Sequence, residues 1–524
     1  MKKLLKNTVI GLCVIAVVVA ILISAKYVRS EAKKDVLQYK EPGSIQSASN
    51  PKTVNLKDGQ VYNIKAGFVT KDIDGVEQNM LAYNNSIPGP TLKVKQGSEA
   101  TLKFTNEINL ESTINAHGLR QDIKMDGMVP YSQDPVKEGD TFSYKWKFDT
   151  PGIYWYHPTT REDYQQGTGL YGTIIVEPKE ADYWPLADES ETLVLSDVLT
   201  DETTGIIKPF NKVEADKSLM GRYGNIVLIN GDSSWEGKAK VNSVKRYYLV
   251  NASSARPYVF SLKGVQMKVV GSDSGRVGVE RIVDELIIGP GERYVVDVLF
   301  SEKGKVNIVN DAPENKSDIG EIDVAENPKS TIASLGFPDL RTNQDVVNSI
   351  SELAQQVTGE KHLSLTLSLG KNSSLDIVKD KTESILNTNE SETDPYSGIN
   401  WKPLKNNGKN NDATWQIADI DESKSNSQVE WKFKKGDVVR IRINNYGETL
   451  YPVQQPIYIH GQRFSVASIN GLANPNVEWK DTVLIPSGTE YELLVVMDNP
   501  GQWIISSQTP SHFENGMFIK FKVS

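Results

Sequence analysis

The chain has a single cysteine in 524 residues. It is Cys13, inside an apolar run near the N-terminus, with Leu12 before it, and it reads as a helix-packing residue and not as a lipidation site. Everything after it is free of thiols. That excludes disulfides, thiolate metal ligands and cysteine nucleophiles from the body of the protein. Larger domains can do without such cross-links. Histidine is scarce too, at five residues. No Gly-rich phosphate loop follows a strand-like stretch, and no Ser-His-Asp arrangement or zinc-protease motif occurs. No Met-rich insert is present. A net charge of −9 argues against nucleic acid as a partner.

What is there begins with Lys2, Lys3 and Lys6 ahead of an apolar run over 9–23, extended by Thr8, Ser24 and Ala25. That length is near the lower limit for a membrane-spanning helix. No small-x-small cleavage site follows; Lys26, Tyr27, Val28 and Arg29 come next. The expectation is an uncleaved anchor over 1–29 in a single-pass cell-membrane protein of a bacterium, with the lysines inside and the body outside. The competing expectation is a cleaved signal peptide and a secreted body. Polar residues over 30–50 read as a stalk.

From about Val54 the pattern becomes short β-rich runs broken by turns. Two segments recur at a distance. Val94-Lys95-Gln96-Gly97, Leu102–Asn106 and His117-Gly118 are echoed by Phe433-Lys434-Lys435-Gly436, Ile441–Asn444 and His460-Gly461. Asp149-Thr150-Pro151-Gly152-Ile153-Tyr154-Trp155 is echoed by Asp498-Asn499-Pro500-Gly501-Gln502-Trp503. The chain is therefore expected to be all-β, with first and last thirds built as copies of one unit. The divisions are 51–180, 181–310, a connector over 311–355 with a short helix near 346–357, and 356–524. Long polar loops over 371–430 decorate the last. His362, in the strand-like 362–367, reads as an ordinary strand residue. Glu162 and Asp163 read as solvated loop charges.

The stretch from Trp503 to Met517 resembles the C-terminal copper motif of the multicopper oxidase family (laccases, bilirubin oxidases, cuprous oxidases). The frame is kept, with His512 and Met517 five residues apart. Ser506, Ser507 and Gln508 stand where the family has His-Cys-His. Tyr83–Thr91 resembles the family's first-domain signature. Arg246–Ser253 and Ile288–Tyr294 resemble its histidine-free second domain, where the glycines and prolines read as turns. The resemblance implies three cupredoxin-like Greek-key β-sandwich or barrel domains. It also implies a ledger of metal positions. Asn115-Ala116-His117-Gly118 keeps one histidine of His-x-His-Gly. Trp155-Tyr156-His157-Pro158-Thr159 keeps one, and Gln455-Pro456-Ile457-Tyr458-Ile459-His460-Gly461 keeps one. By that resemblance His117 and His157 belong to one copper, with Gln508 in its third position, and His460 to the neighbouring copper. Gln455 and Ser507 replace ligands of the blue-copper site, of which His512 and Met517 remain. The segment 125–130, with Met125 and Met128, matches a structural loop.

A blue-copper site needs a thiolate, two imidazoles and a weak axial thioether. A serine hydroxyl is a hard, poor ligand for Cu(I), and the family passes electrons through the thiolate sulfur. The expectation is therefore a catalytically silent, oxidoreductase-like pseudoenzyme: an extracytoplasmic binding or scaffold protein with envelope or cell-wall protein partners. The alternative is a metal-binding protein or oxidoreductase. It would use a single Cu or Zn at a residual site formed by His117, His157, His460 and Gln508. Against that stands the reading that these buried imidazoles simply hydrogen-bond to neighbours such as Gln508, Ser506 and Tyr458.

Overall fold

The computed structural model describes residues 45–210, 219–313, 315–327, 329–369, 396–402, 413–446 and 453–524. The expected anchor and residues 30–44 of the expected stalk lie outside these residues, as does much of 371–430. Gln46–Ser524 forms one body. Among the described residues, no helix is long and apolar enough to cross a membrane.

Six sheets account for the body, in three sequential pairs. The first pair has a four-stranded sheet around Gln60–Ile73 and Glu99–Asn106. Its partner is a five-stranded sheet ordered Thr53–Leu56, Thr91–Lys95, Gly172–Glu177, Gly152–His157, Asn115–His117. The second pair has six and five strands, and the third seven and five. Every pair contains the same signature, a parallel pairing inside an otherwise largely antiparallel sheet. It joins Gln60–Ile73 to Glu99–Asn106, Glu189–Val198 to Ser243–Asn251, and Val357–Leu369 to Val438–Asn444. The all-β class expected from strand-period alternation is what the chain adopts, because alternate side chains of each strand reach an apolar interior between paired sheets. Leu193, Leu249, Val296 and Phe260 fill the second interior, and Trp415, Ile441, Trp503 and Phe521 the third.

The repeated Pro-Gly segments do the same job twice. Gly152 (φ 150°) and Gly501 (φ 154°) open Gly152–His157 and Gly501–Ser507. A Cβ on Gly501 would lie 2.9 Å from the Trp503 ring. Each strand then runs buried toward one seam, ending in His157 and Ser507.

The helix expected near 346–357 starts and ends earlier. The connector's second helix spans Gln344–Leu353, and Val357 already starts a strand, paired with Val438. Val346, Ile350 and Leu353 form the buried stripe at helical spacing. After Leu353 the β-branched Val357 and Thr358 and then Gly359 disfavour further helix. His362 lies in Val357–Leu369 with Nδ1 3.1 Å from both Asp421 carboxylate oxygens.

Candidate functional site

Asn115–His117 and Gly152–His157 are antiparallel neighbours, with His117 paired to Trp155 and Asn115 to His157. Both histidines therefore point from the same sheet face, two residues apart along the strand period. Gln455–Ile459 lies between Gly501–Ser507 and Thr482–Ile485 in the third unit. The two sheets bring His117, His157, Gln508 and Thr482 together across the seam.

His117 and His157 are buried, with His117 Nδ1 3.3 Å from His157 Nε2. The surrounding network assigns their tautomers. Nδ1 of His157 lies 2.9 Å from the Pro158 carbonyl oxygen and 3.2 Å from Glu162 Oε1, both acceptors, so it carries the proton. Thr482 Oγ1 donates to Asp481 Oδ1 at 2.8 Å. It must then accept from His117 Nε2 at 2.7 Å, so that nitrogen is protonated. The unprotonated nitrogens of the two rings thus face one another. Burial, only partly opposed by Asp481, holds His117 well below the ordinary imidazole range and neutral. Rings wall the pair: Tyr458 stacks on His117 with centroids 3.7 Å apart, and Trp155 on His157 at 4.1 Å. Gln508 Nε2 donates to Glu162 Oε1 at 3.2 Å.

His460 is the neighbour expected from the ledger. Its Nε2 is 3.4 Å from Ser506 Oγ, its ring centroid 4.0 Å from that of Tyr458, and its Nδ1 3.6 Å from Asp126 Oδ2. Both atoms of that last pair are buried and lack a hydrogen-bond partner, as does Asn115 Oδ1. Further into the third unit, Gln455, Ser507, His512 and Met517 converge. Ser507 Oγ donates to Gln455 Oε1 at 3.3 Å, and His512 Nδ1 donates to the same oxygen at 3.1 Å. Met517 is fully buried in the apolar core.

Five residues that matter here were not read as site residues from the sequence. Glu162 is not a solvated loop charge: it is buried on the short helix Glu162–Gln165, between His157 and Gln508. Asp126 belongs to the loop read as structural. Arg293 and Asp481 pair with Nη1–Oδ1 and Nη2–Oδ2 both 2.6 Å, and Asp481 Oδ1 is also 3.4 Å from His117 Nε2. Gly291 (φ 81°) is the turn it was read as, but a Cβ there would sit 2.9 Å from Gln508 Cγ and 3.3 Å from His117 Cε1. The signal available in sequence was charge inside otherwise apolar strand ends.

Three segments match multicopper oxidase family profiles, at residues 66–181, 189–319 and 399–524. The chain is similar to a multicopper oxidase of Staphylococcus aureus, at 24% identity over 475 residues covering 88% of each chain. It is also similar to copper resistance protein A of Escherichia coli, at 27% identity over 302 residues covering 49% of each. The crystal structure of a Pseudomonas thermotolerans multicopper oxidase superposes with TM-score 0.69 at 22% identity, covering 89% of this chain and all of that one. A metallo-oxidase from Campylobacter jejuni gives 0.66 at 19% identity, over 93% of this chain and 99% of the other. This chain belongs to the multicopper oxidase family and has its cupredoxin-like multidomain fold.

The family name implies several coppers, and the donor set can be tested against that. Among the described residues, no group of three or more His, Cys, Asp or Glu side chains is placed to hold a metal ion. At Gln455, Ser507, His512 and Met517 the donors are an amide oxygen, a hydroxyl, one imidazole and one thioether, and two of the four already hydrogen-bond to Gln455. Soft copper chemistry does not fit that set. His117 Nδ1 and His157 Nε2 are different. They are two imidazole donors with facing lone pairs, a pairing that suits one Cu or Zn ion.

Proposed function

We propose that this protein is a multicopper-oxidase-family pseudoenzyme. It is displayed outside the cytoplasm on its N-terminal membrane segment and works as a binding or scaffold protein of the cell envelope. The observation that carries this reading is Ser507: its hydroxyl is spent on Gln455 in the position where the family's electron entry needs a thiolate sulfur. Without that sulfur no substrate electron enters by the family route. The fold offers a rigid three-unit β body whose strand ends and loops can face wall or envelope proteins.

The test is metal analysis and oxidase assay of protein purified from copper-supplemented culture. Little copper, no blue absorbance and no oxygen uptake with phenols or Cu(I) are expected. A chain loaded with four coppers and consuming oxygen would overturn the proposal.

One observation favours a second reading, a metal-handling protein with a single Cu or Zn. Two imidazole nitrogens whose lone pairs meet at 3.3 Å repel unless a cation lies between them. Roughly one tightly held ion per chain, lost in the H117A/H157A variant, would support this reading over the scaffold one.

A further inference from the structure

Where the third unit meets the second, a buried amine is packed against two carboxyl groups. Lys480 Nζ lies 3.4 Å from Asp273 Oδ2 and 3.2 Å from Glu292 Oε1, and all three side chains are buried. The amine makes no hydrogen bond to either. The Tyr294 ring covers it, with the centroid 4.8 Å from Nζ. The segment that carries the lysine also fixes the aspartate. Ser272 Oγ and the Ser274 N–H donate to the Trp479 carbonyl at 3.0 and 3.2 Å. The Asp481 and Thr482 N–H groups each donate to Asp273 Oδ2 at 3.3 Å, and the Arg293 N–H donates to Oδ1 at 2.8 Å. Glu292 is held in turn, because its Oε2 accepts from the Gly289 N–H at 2.6 Å. Amine and carboxyl are thus locked at a separation typical of groups positioned to react.

Three carboxyl groups, Asp273, Glu292 and Asp481, here face two cations, Lys480 and Arg293. In a dry interior an excess charge is relieved by taking up a proton. Burial pushes the Asp273 carboxyl up to about 6, against the pull of Arg293 and Lys480. Burial also opposes the charge on Lys480, but Asp273 and then Glu292 outweigh it and hold its proton on. Protonation of Asp273 removes the first of those two holds. We propose that Lys480 and Asp273 condense into an intramolecular isopeptide bond, with Glu292 as the base. Glu292 takes one proton from the Lys480 ammonium and keeps it. The amine lone pair attacks Cγ of the neutral Asp273 carboxyl. The N–C bond forms, the C–OH bond breaks, and the hydroxyl leaves as water with the second amine proton. No oxidant or other co-reactant is consumed. The product replaces a costly buried ion pair by a neutral amide. It also ties the second unit to the third in a body that has no cysteine for a disulfide. The inference does not depend on either reading of the histidine pair.

The test is mass spectrometry of the 524-residue chain, fully denatured and then digested. The peptides that carry Asp273 and Lys480 should appear joined, lighter than their sum by the mass of one water. Fragment ions should place the link at these two residues. K480R should return the two peptides separately and at full mass. In chain collected soon after a pulse of synthesis, E292Q should slow linking by at least about a hundredfold, the lower end of what general-base catalysis contributes. Separate, unmodified peptides from the parent chain, or linking at the parent's rate in E292Q, would overturn the proposal. The first of these results needs no variant to fold.

Discussion

Arg293→Met should loosen the seam on which the site is built, and the size of the effect follows from the contacts. All five guanidinium N–H groups of Arg293 are matched. Nε donates to the Ile153 carbonyl at 3.3 Å, Nη1 to Gly291 O at 3.1 Å and Asp481 Oδ1 at 2.6 Å, Nη2 to Asp273 O at 3.2 Å and Asp481 Oδ2 at 2.6 Å. These acceptors come from the first, second and third units, so one side chain ties all three. Arg293 and Asp481 are both essentially inaccessible to solvent. Methionine would leave Asp481 as a buried charge without its main partner, a loss of about 3–5 kcal/mol. Taking each unit as unfolding cooperatively, that is a fall of roughly 6–20 °C in the seam's transition.

The pH behaviour gives a second check on the same variant. Burial alone would raise the Asp481 carboxyl, but Arg293 overrides it and holds the group far below the ordinary carboxylate range. The sign follows: this depressed group contributes stability that is present above its unfolded value, near 3.9, and is lost only in strong acid. Without Arg293 the shift reverses, and the stability deficit of the variant should shrink as pH falls from neutral toward 4. Differential scanning calorimetry at several pH values reads both effects. R293M/D481L, which removes both charges, should recover most of the loss. A transition within about 2 °C of the parent, or a double variant no better than R293M, would refute this account of the seam.

The remaining predictions concern the ends of the site. Burial, and then the neighbouring Asp163 carboxyl, push Glu514 up to about 8. Because the folded value lies above the unfolded one of about 4.3, stability present in mild acid should be lost as pH rises from about 5 to 8. E514Q, which keeps the neutral form, should flatten that slope in thermal melts; an unchanged slope would show that Glu514 is not its source. Q455H/S507C supplies a thiolate and a second imidazole beside His512 and Met517. One equivalent of Cu(II) should then give an intense blue charge-transfer band that neither single variant shows. A colourless, copper-free double variant would mean that the shell around these positions no longer holds blue-site geometry.

Some of this was legible in the sequence for physical reasons. Strand-period alternation and Pro-Gly turns are local, so the all-β class could be read, and so could the matched segments leading to His157 and Ser507. The spacing of His512 and Met517 was readable because one short helix, Pro510–Glu514, holds the first and the second follows just after it. What the sequence hid was every partner made by long-range packing. His117 meets Thr482 from 365 residues away, and Gln508 meets Glu162 from 346. No local pattern separates a carboxylate that will be buried against an imidazole from one that stays in water. Glu162 therefore read like any loop charge, and Arg293 and Asp481 did not stand out.

These hidden contacts also hold the seam together at the positions where the family resemblance would put metal donors. Metal ligands drawn from two units cross-link them, and replacing the ligands by arbitrary side chains would strand polar groups in a dry interface, at about 1–3 kcal/mol each. Here the residues at those positions cross the seam by hydrogen bonds and ring contacts. Gln508 donates to Glu162, the Gly118 N–H donates to the Tyr458 hydroxyl at 3.1 Å, and the Tyr458 ring covers His117. Asn499 Nδ2 reaches the Gln121 carbonyl at 2.9 Å beside them. These groups bridge the units, which is what a three-unit body requires. Asn115 Oδ1, Asp126 Oδ2 and His460 Nδ1 remain without a hydrogen-bond partner. An ordered water bridging Asp126 and His460 would satisfy two of these atoms.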